Sequence, residues 1–294
     1  MSRAARRFQQ AIPVLSAYTI PTAIAVWGSS SAEGVGGSGV TLSGQLQSRF
    51  GITAYNGGVG GQLSTHIAAR QGGRPGLLTA SGNTIPASGS VAITASNMNV
   101  PGSFTAAGTL VGVNGTLGIS GGNYQFTRSG SGSATAMSAD TPFISTLGVQ
   151  HKASGTLIWA GKNDITTAAD MTVCANAVTG MVAYLAPRTR FLVLGHFADN
   201  YMVPGNSNRI RMDTENSRLA STYGSLYVDV NGYLASSQLW VDTGITPTAT
   251  DLTDQSNGVL PTSIRFNASH MNSAGYTAVS KMVGDIIQAQ GWFN

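Results

Sequence analysis

The chain has 294 residues, enough to bury a sizeable core as one large domain or as one domain with a module. Only 10% of its residues are charged, against about 25% in an average globular domain, while 42% are hydrophobic and 38 are glycine. That profile excludes intrinsic disorder and suits a secreted, cell-surface or virion-borne protein. The net charge of +4 owes part of its excess to Arg3, Arg6 and Arg7, and no later stretch interleaves basic residues with aromatics, so nucleic acid is not expected as a partner.

No apolar run reaches the roughly 18 residues of a membrane span. The start mimics a signal peptide, with arginines followed by Ala11-Ile12-Pro13-Val14-Leu15. Cleavage after Ala25 would remove the first strand, so the N-terminus reads as mature sequence and export would need another route, such as assembly into a virion. Cys174 is the single cysteine, which rules out a disulfide within the chain and a cysteine-based zinc site.

Residues 1–19 read as a short helix or arm, and 20–27 as a strand. Leu42, Leu46 and Phe50 fall at i, i+4, i+8, one face of a helix. A second strand at 52–55 runs into Asn56-Gly57-Gly58-Val59-Gly60-Gly61, followed by a short helical stretch to Arg70. This alternation starts an α/β unit.

The pattern changes over residues 72–146. Short strands appear at 90–94, 110–113, 117–119 and 124–127, and Asn114-Gly115 is a strong hairpin signal. Between 71 and 150 only Arg74, Arg128 and Asp140 are charged. A structureless loop of that length is rare, so an inserted antiparallel β-module is expected.

The α/β rhythm then resumes: a strand at 155–160, a helix at 167–185, a strand at 190–195, a polar helix at 206–223 and a strand at 225–230. Residues 231–262 look irregular. A last helix spans 273–290, with Ser273 as a plausible N-cap. The expected architecture is three-layer α/β/α, flavodoxin-like, with a five-stranded parallel sheet built from residues 1–71 and 147–294 and the β-module inserted at 72–146.

In open parallel sheets, ligands bind beyond the carboxyl ends of the strands. Three strand ends carry small or polar residues: Gly28-Ser29-Ser30, the Gly57–Gly61 loop, and Gly161-Lys162-Asn163-Asp164. A fourth element, Asn267-Ala268-Ser269-His270-Met271-Asn272, precedes the last helix. Ser, Gly, Asn and His in this order resemble the SGNH (GDSL-type) hydrolases, a family named for those four residues and built on a flavodoxin-like sheet. The resemblance covers 20–70 and 153–290, not the module.

By that resemblance, Ser30 is the nucleophile, although Ser29 stands where the family's Asp does, and Ser29 and Ser31 compete for the role. A hydroxyl there must give its proton to a base as it attacks an acyl carbon. The second block implies Gly61 as an oxyanion donor, with Gly60 as fallback, and the third implies Asn163. His270-Met271-Asn272-x-x-Gly275 matches the family's histidine block, with His270 as the base. The family has Asp three residues before that histidine; here the position is Asn267. At Asn267, grouped with the catalytic residues, an amide can at best orient the histidine and cannot neutralise an imidazolium, so the sequence leaves three alternatives: a backbone carbonyl orients His270 in a Ser–His dyad, the favoured one; a carboxylate such as Asp251 or Asp254 substitutes; or Asn267 was introduced to trap an inactive form.

His66 and His151 read as structural or exposed. His196, at a strand end, is a candidate substrate contact, and Glu33 is either a supporting partner or exposed. No metal-ligand spacing and no dinucleotide or Walker element is present, so no cofactor is expected. The resemblance implies a serine esterase acting on a small ester or acylated carbohydrate, with removal of O-acetyl groups from a polysaccharide as the leading expectation. The alternatives are a weakened scaffold that binds carbohydrate on a virion or cell surface, and a thioesterase or lipase.

Overall fold

The computed structural model describes residues 18–168 and 170–293. The arm expected at 1–19 lies almost wholly outside the described residues. Five parallel strands form the central sheet: Ala23–Gly28, Thr53–Gly58, Gly155–Trp159, Phe191–Leu194 and Tyr227–Val228. Counted along the chain, they lie side by side in the order 2-1-3-4-5, every pair parallel. This is the flavodoxin-like order, and its connections reverse direction between strands one and three.

Strands buried on both faces explain the unbroken apolar runs in the sequence. Ile24, Val26, Leu157, Trp159, Leu192 and Leu194 face one way and pack on Leu42, Leu46, Tyr276, Val279 and Val283 of helices Leu42–Phe50 and Ser273–Ala289. The alternate residues Ala25, Trp27, Ile158 and Val193 face the other way, onto helices Ser64–Gln71, Thr172–Tyr184 and Ser207–Tyr223.

A separate seven-stranded antiparallel sheet is formed by strands lying between Leu77 and Ser145. Its inner face, with Leu78, Ile93, Leu117, Tyr124, Phe126 and Phe143, forms its own core, to which Ala69 of helix Ser64–Gln71 contributes. His66 anchors this contact: one ring nitrogen accepts from Leu63 N–H at 3.0 Å and the other meets Asn99 O at 2.7 Å. His151 stacks on Tyr55, with ring centroids 4.2 Å apart.

Several local expectations are corrected. The hairpin turn is Val111-Gly112, both at positive φ, with Leu110 paired to Val113; Asn114-Gly115 lies inside the strand Val113–Ser120. Gly115 is small for a packing reason, because a Cβ there would collide with the Phe126 ring. Residues 231–262 are not irregular but hold helices Gln238–Thr243 and Ala249–Ser256, continuing from Val230–Leu234. The last helix is capped by Asn272, whose side chain accepts from Gly275 N–H, not by Ser273. Cys174 is a buried free thiol, and no helix among the described residues is long and apolar enough to cross a membrane.

Candidate active site

The first strand ends at Gly28, where a Cβ would come within 2.6 Å of both the Ala32 Cβ and the Trp159 carbonyl oxygen. Only a residue without a side chain lets the chain turn there into the short helix Ser30–Glu33. The turn also sorts the three serines. The hydroxyls of Ser29 and Ser31 are buried without a partner among the described residues, whereas Ser30 lines an open cleft of about 450 Å³.

His270 reaches this serine from 240 residues away: its Nε2 lies 2.8 Å from Ser30 Oγ. Its Nδ1 lies 3.0 Å from the side-chain oxygen of Asn267, which also accepts the backbone N–H groups of Ser269 and His270, each at 3.0 Å. Both alternatives for orienting His270 are therefore corrected. The group facing Nδ1 is neither a backbone carbonyl nor a substitute carboxylate but the Asn267 amide oxygen. Asp251 is committed to Thr248 and Ser263, and Asp254 to Thr262, where both serve as anchors of the segment leading to His270.

The candidate oxyanion donors line the same cleft. Gly61 adopts φ +73°, which favours glycine, and a Cβ there would stand in open space. The Ser30 and Gly61 N–H groups have no hydrogen-bond partner among the described residues. Asn163 donates one amide hydrogen to Gln62 O at 2.9 Å, which leaves the other free. Gln62 in turn accepts from the buried Arg70 Nε at 2.7 Å, and Arg70 also donates to Gly57 O at 2.9 Å, so one guanidinium ties the second strand end to the third block. Asp164 clamps the start of helix Ser64–Gln71, accepting from Ser64 N–H at 2.8 Å and Ser64 Oγ at 2.7 Å; burial pushes its pKa up.

His196 is corrected as a substrate contact. It is fully buried behind Gly161, and burial, with help from Lys162, pushes its pKa down to about 3. Gly161 has φ +119°, and a Cβ there would collide with Cys174 Sγ and approach His196 Nε2 to 3.1 Å. Glu33 is exposed, and its carboxylate occupies the space that a Cβ on Gly60 would need.

The sequence reading passed over Lys162, Asp199, Tyr201 and Ser269, all of which line the cleft. Lys162 sat inside the third block as its unspecified middle residue. Asp199 lies beyond the end of the fourth strand, so the strand-end criterion would have reached it; Ser269 sits inside the fourth block beside His270, and Tyr201 carries no local signal. Burial lowers the pKa of His270, and the Lys162 charge lowers it further, against opposing effects from Asp199 and Glu33. Among the described residues, no group of three or more His, Cys, Asp or Glu side chains is placed to hold a metal ion.

No family model matches this chain, and no curated protein matches it. Among solved structures, it is similar to a protein from Desulfitobacterium hafniense DCB-2 described as of the G-D-S-L lipolytic family, with 11% identity, a TM-score of 0.46, and coverage of 90% of this chain and 99% of that one. It is also similar to a gut microbial diltiazem-metabolizing enzyme, with 11% identity, a TM-score of 0.40, and coverage of 93% of this chain and 48% of that one.

Proposed function

We propose that this chain, which carries the SGNH hydrolase fold with its four blocks at one sheet edge, is a serine ester hydrolase that removes O-acetyl groups from a polysaccharide. The observation that carries the reading is the run of contacts from Ser30 Oγ to His270 Nε2 and from His270 Nδ1 to Asn267 Oδ1, at 2.8 and 3.0 Å, set where the sheet's connections reverse.

In this reading Ser30 Oγ attacks the acyl carbon and its proton passes to His270 Nε2. The resulting oxyanion accepts hydrogen bonds from the Ser30 and Gly61 N–H groups and from the free amide hydrogen of Asn163. The imidazolium then gives its proton to the departing alcohol. Water attacks the acyl-enzyme with His270 again as base, releasing the acid and restoring Ser30.

Substrate size and polarity support the finer choice. Asn163, Thr166, Lys162, Asp199, Ser269 and Tyr201 place polar groups along the cleft wall, and its volume of about 450 Å³ suits a short acyl group on a sugar better than a long alkyl chain. The charge-poor composition supports an extracellular or virion-borne setting.

The test is hydrolysis of p-nitrophenyl acetate and of an O-acetylated oligosaccharide by the wild type and by Ser30→Ala. Loss of activity in the variant is expected, and a variant that keeps the wild-type rate overturns the assignment. A chain-length series of acyl esters whose rate rises beyond about eight carbons overturns the acetyl choice.

A further inference from the structure

The loop that carries His270 is docked on the loop after the fourth strand. Ser269 Oγ donates to Asp199 Oδ2 at 2.7 Å, and Asn200 N–H donates to Ala268 O at 3.0 Å. The second carboxylate oxygen of Asp199 accepts from Lys162 Nζ at 2.7 Å, and Lys162 also donates to Phe197 O at 2.8 Å. The two charged side chains are only 8% and 6% exposed. An ion pair buried to that degree is weak evidence for stability, since apolar residues of similar volume often do as well. Its location is the informative part, for both members line the cleft beside His270.

Proton transfer from Ser30 puts a positive charge on the His270 ring. The Asn267 oxygen at Nδ1 orients the ring but carries no net charge to balance it. Three charged groups act on the imidazole: Lys162 from the loop after the third strand, Asp199 from the loop after the fourth, and Glu33 from the helix after the first. Glu33 is exposed and screened by water. Asp199 is buried and bonded to the residue next to His270, so its charge moves with the histidine loop.

We propose that Asp199 and Lys162 are positioning residues for His270. Through Ser269, Asp199 holds the loop so that Nε2 meets Ser30 Oγ, and its carboxylate provides the negative charge that Asn267 lacks. Lys162 fixes Asp199, and its charge opposes that of Asp199 at the imidazole. The inference rests on the reading of Ser30 and His270 as nucleophile and base.

The experiment is the pH profile of kcat/KM with p-nitrophenyl acetate for the wild type, Asp199→Asn, Lys162→Met and the double variant. In Asp199→Asn the acid limb moves to lower pH, because Lys162 is left unbalanced, and the plateau falls about 10²-fold as the loop loosens. In Lys162→Met the acid limb moves to higher pH. The double variant returns the limb toward the wild-type position with a lowered plateau. Limbs of the single variants that superimpose on the wild type overturn the proposal and leave the pair a structural one.

If the charge variants do not fold, Ser269→Ala and Ser269→Thr decide the matter. The alanine variant is expected to lose about tenfold or more in kcat with KM little changed, and threonine, which keeps the hydroxyl, to restore it. Wild-type kcat in Ser269→Ala overturns the proposal. Ser30→Ala runs alongside: an active Ser30→Ala refutes the underlying serine mechanism, whereas an inactive Ser30→Ala together with unmoved limbs in Asp199→Asn and Lys162→Met refutes only the role of Asp199 and Lys162.

Discussion

Asn267 presents its side-chain oxygen, not its nitrogen, to His270. The same oxygen accepts two backbone N–H groups at 3.0 Å, and these can only donate. Turning the amide over would set an NH2 against both of them. The oxygen therefore faces Nδ1 at 3.0 Å, Nδ1 carries the ring hydrogen, and the lone pair of Nε2 faces the Ser30 hydroxyl 2.8 Å away. An Asp→Asn change in a serine protease triad is costly chiefly because the wrong tautomer results. Here the amide is pinned and the tautomer is the useful one.

Asn267→Asp keeps all three acceptor contacts and adds a charge beside Nδ1. Hydrogen bonds to charged groups exceed neutral ones by about 1 kcal/mol or more, so kcat is expected to rise about fivefold or more. The acid limb should move to higher pH, because a carboxylate stabilises the imidazolium. Steady-state kinetics over a pH range checks both, and a variant slower than wild type contradicts the assignment of the acceptor.

The pH profile of the unmodified protein follows from His270. Protonated imidazole cannot accept the Ser30 proton, so activity rises with pH as His270 loses its charge. Burial and the Lys162 charge lower the pKa of His270. The midpoint of the acid limb in kcat/KM is expected below about 6.5, the ordinary imidazole value. A midpoint above that value would mean that another group controls the rate.

Asn163→Ala removes the proposed side-chain oxyanion donor and also the bond to Gln62 O. Loss of one such donor lowers kcat by about 10²–10³, with a much smaller change in KM. A variant that changes KM alone would assign Asn163 to substrate binding instead.

Asp251 contributes to acid stability. Burial works to raise its pKa, but hydrogen bonds from Thr248 and Ser263 together overcome this and hold it down to about 2. A carboxylate depressed from an unfolded value of about 3.9 stabilises the fold by about 2 kcal/mol above that pH. This contribution is lost as pH falls from about 4 toward 2. Denaturant unfolding at pH 7 and pH 3 should show it as a smaller loss of stability on acidification in Asp251→Asn than in the wild type. Equal pH sensitivity in the two proteins would contradict it.

Gly161→Ala cannot be accommodated without moving the third block, given its φ of +119° and the Cys174 sulfur behind it. The variant is expected to lose several °C or more of Tm, with ester hydrolysis falling alongside. Unchanged Tm and activity would show that the loop adapts.

Much of the architecture was legible because it rests on short-range patterns. Ala23–Gly28 reads as a strand because it is apolar on both faces, and it stops where Gly28 permits a sharp turn. The long stretch with three charges reads as a β-module because its residues alternate and turn. The misplaced hairpin shows the limit of such patterns. Asn114-Gly115 is the better turn sequence, but Gly115 must pack under Phe126, and pairing with the neighbouring strand puts the turn at Val111-Gly112.

By itself, then, the amino-acid order determined the strands, the inserted sheet, and the four blocks that carry Ser30, Gly61, Asn163 and His270. Tertiary structure alone decided which of three serines faces the cleft, which atom meets His270 Nδ1, and that His196 is sealed away while Lys162 and Asp199 stand at the site. The physical reason is that strand and turn preferences act over a few residues. The partner of a hydroxyl or an imidazole is chosen by whatever the packed sheet brings within about 3 Å, here across 240 positions of chain.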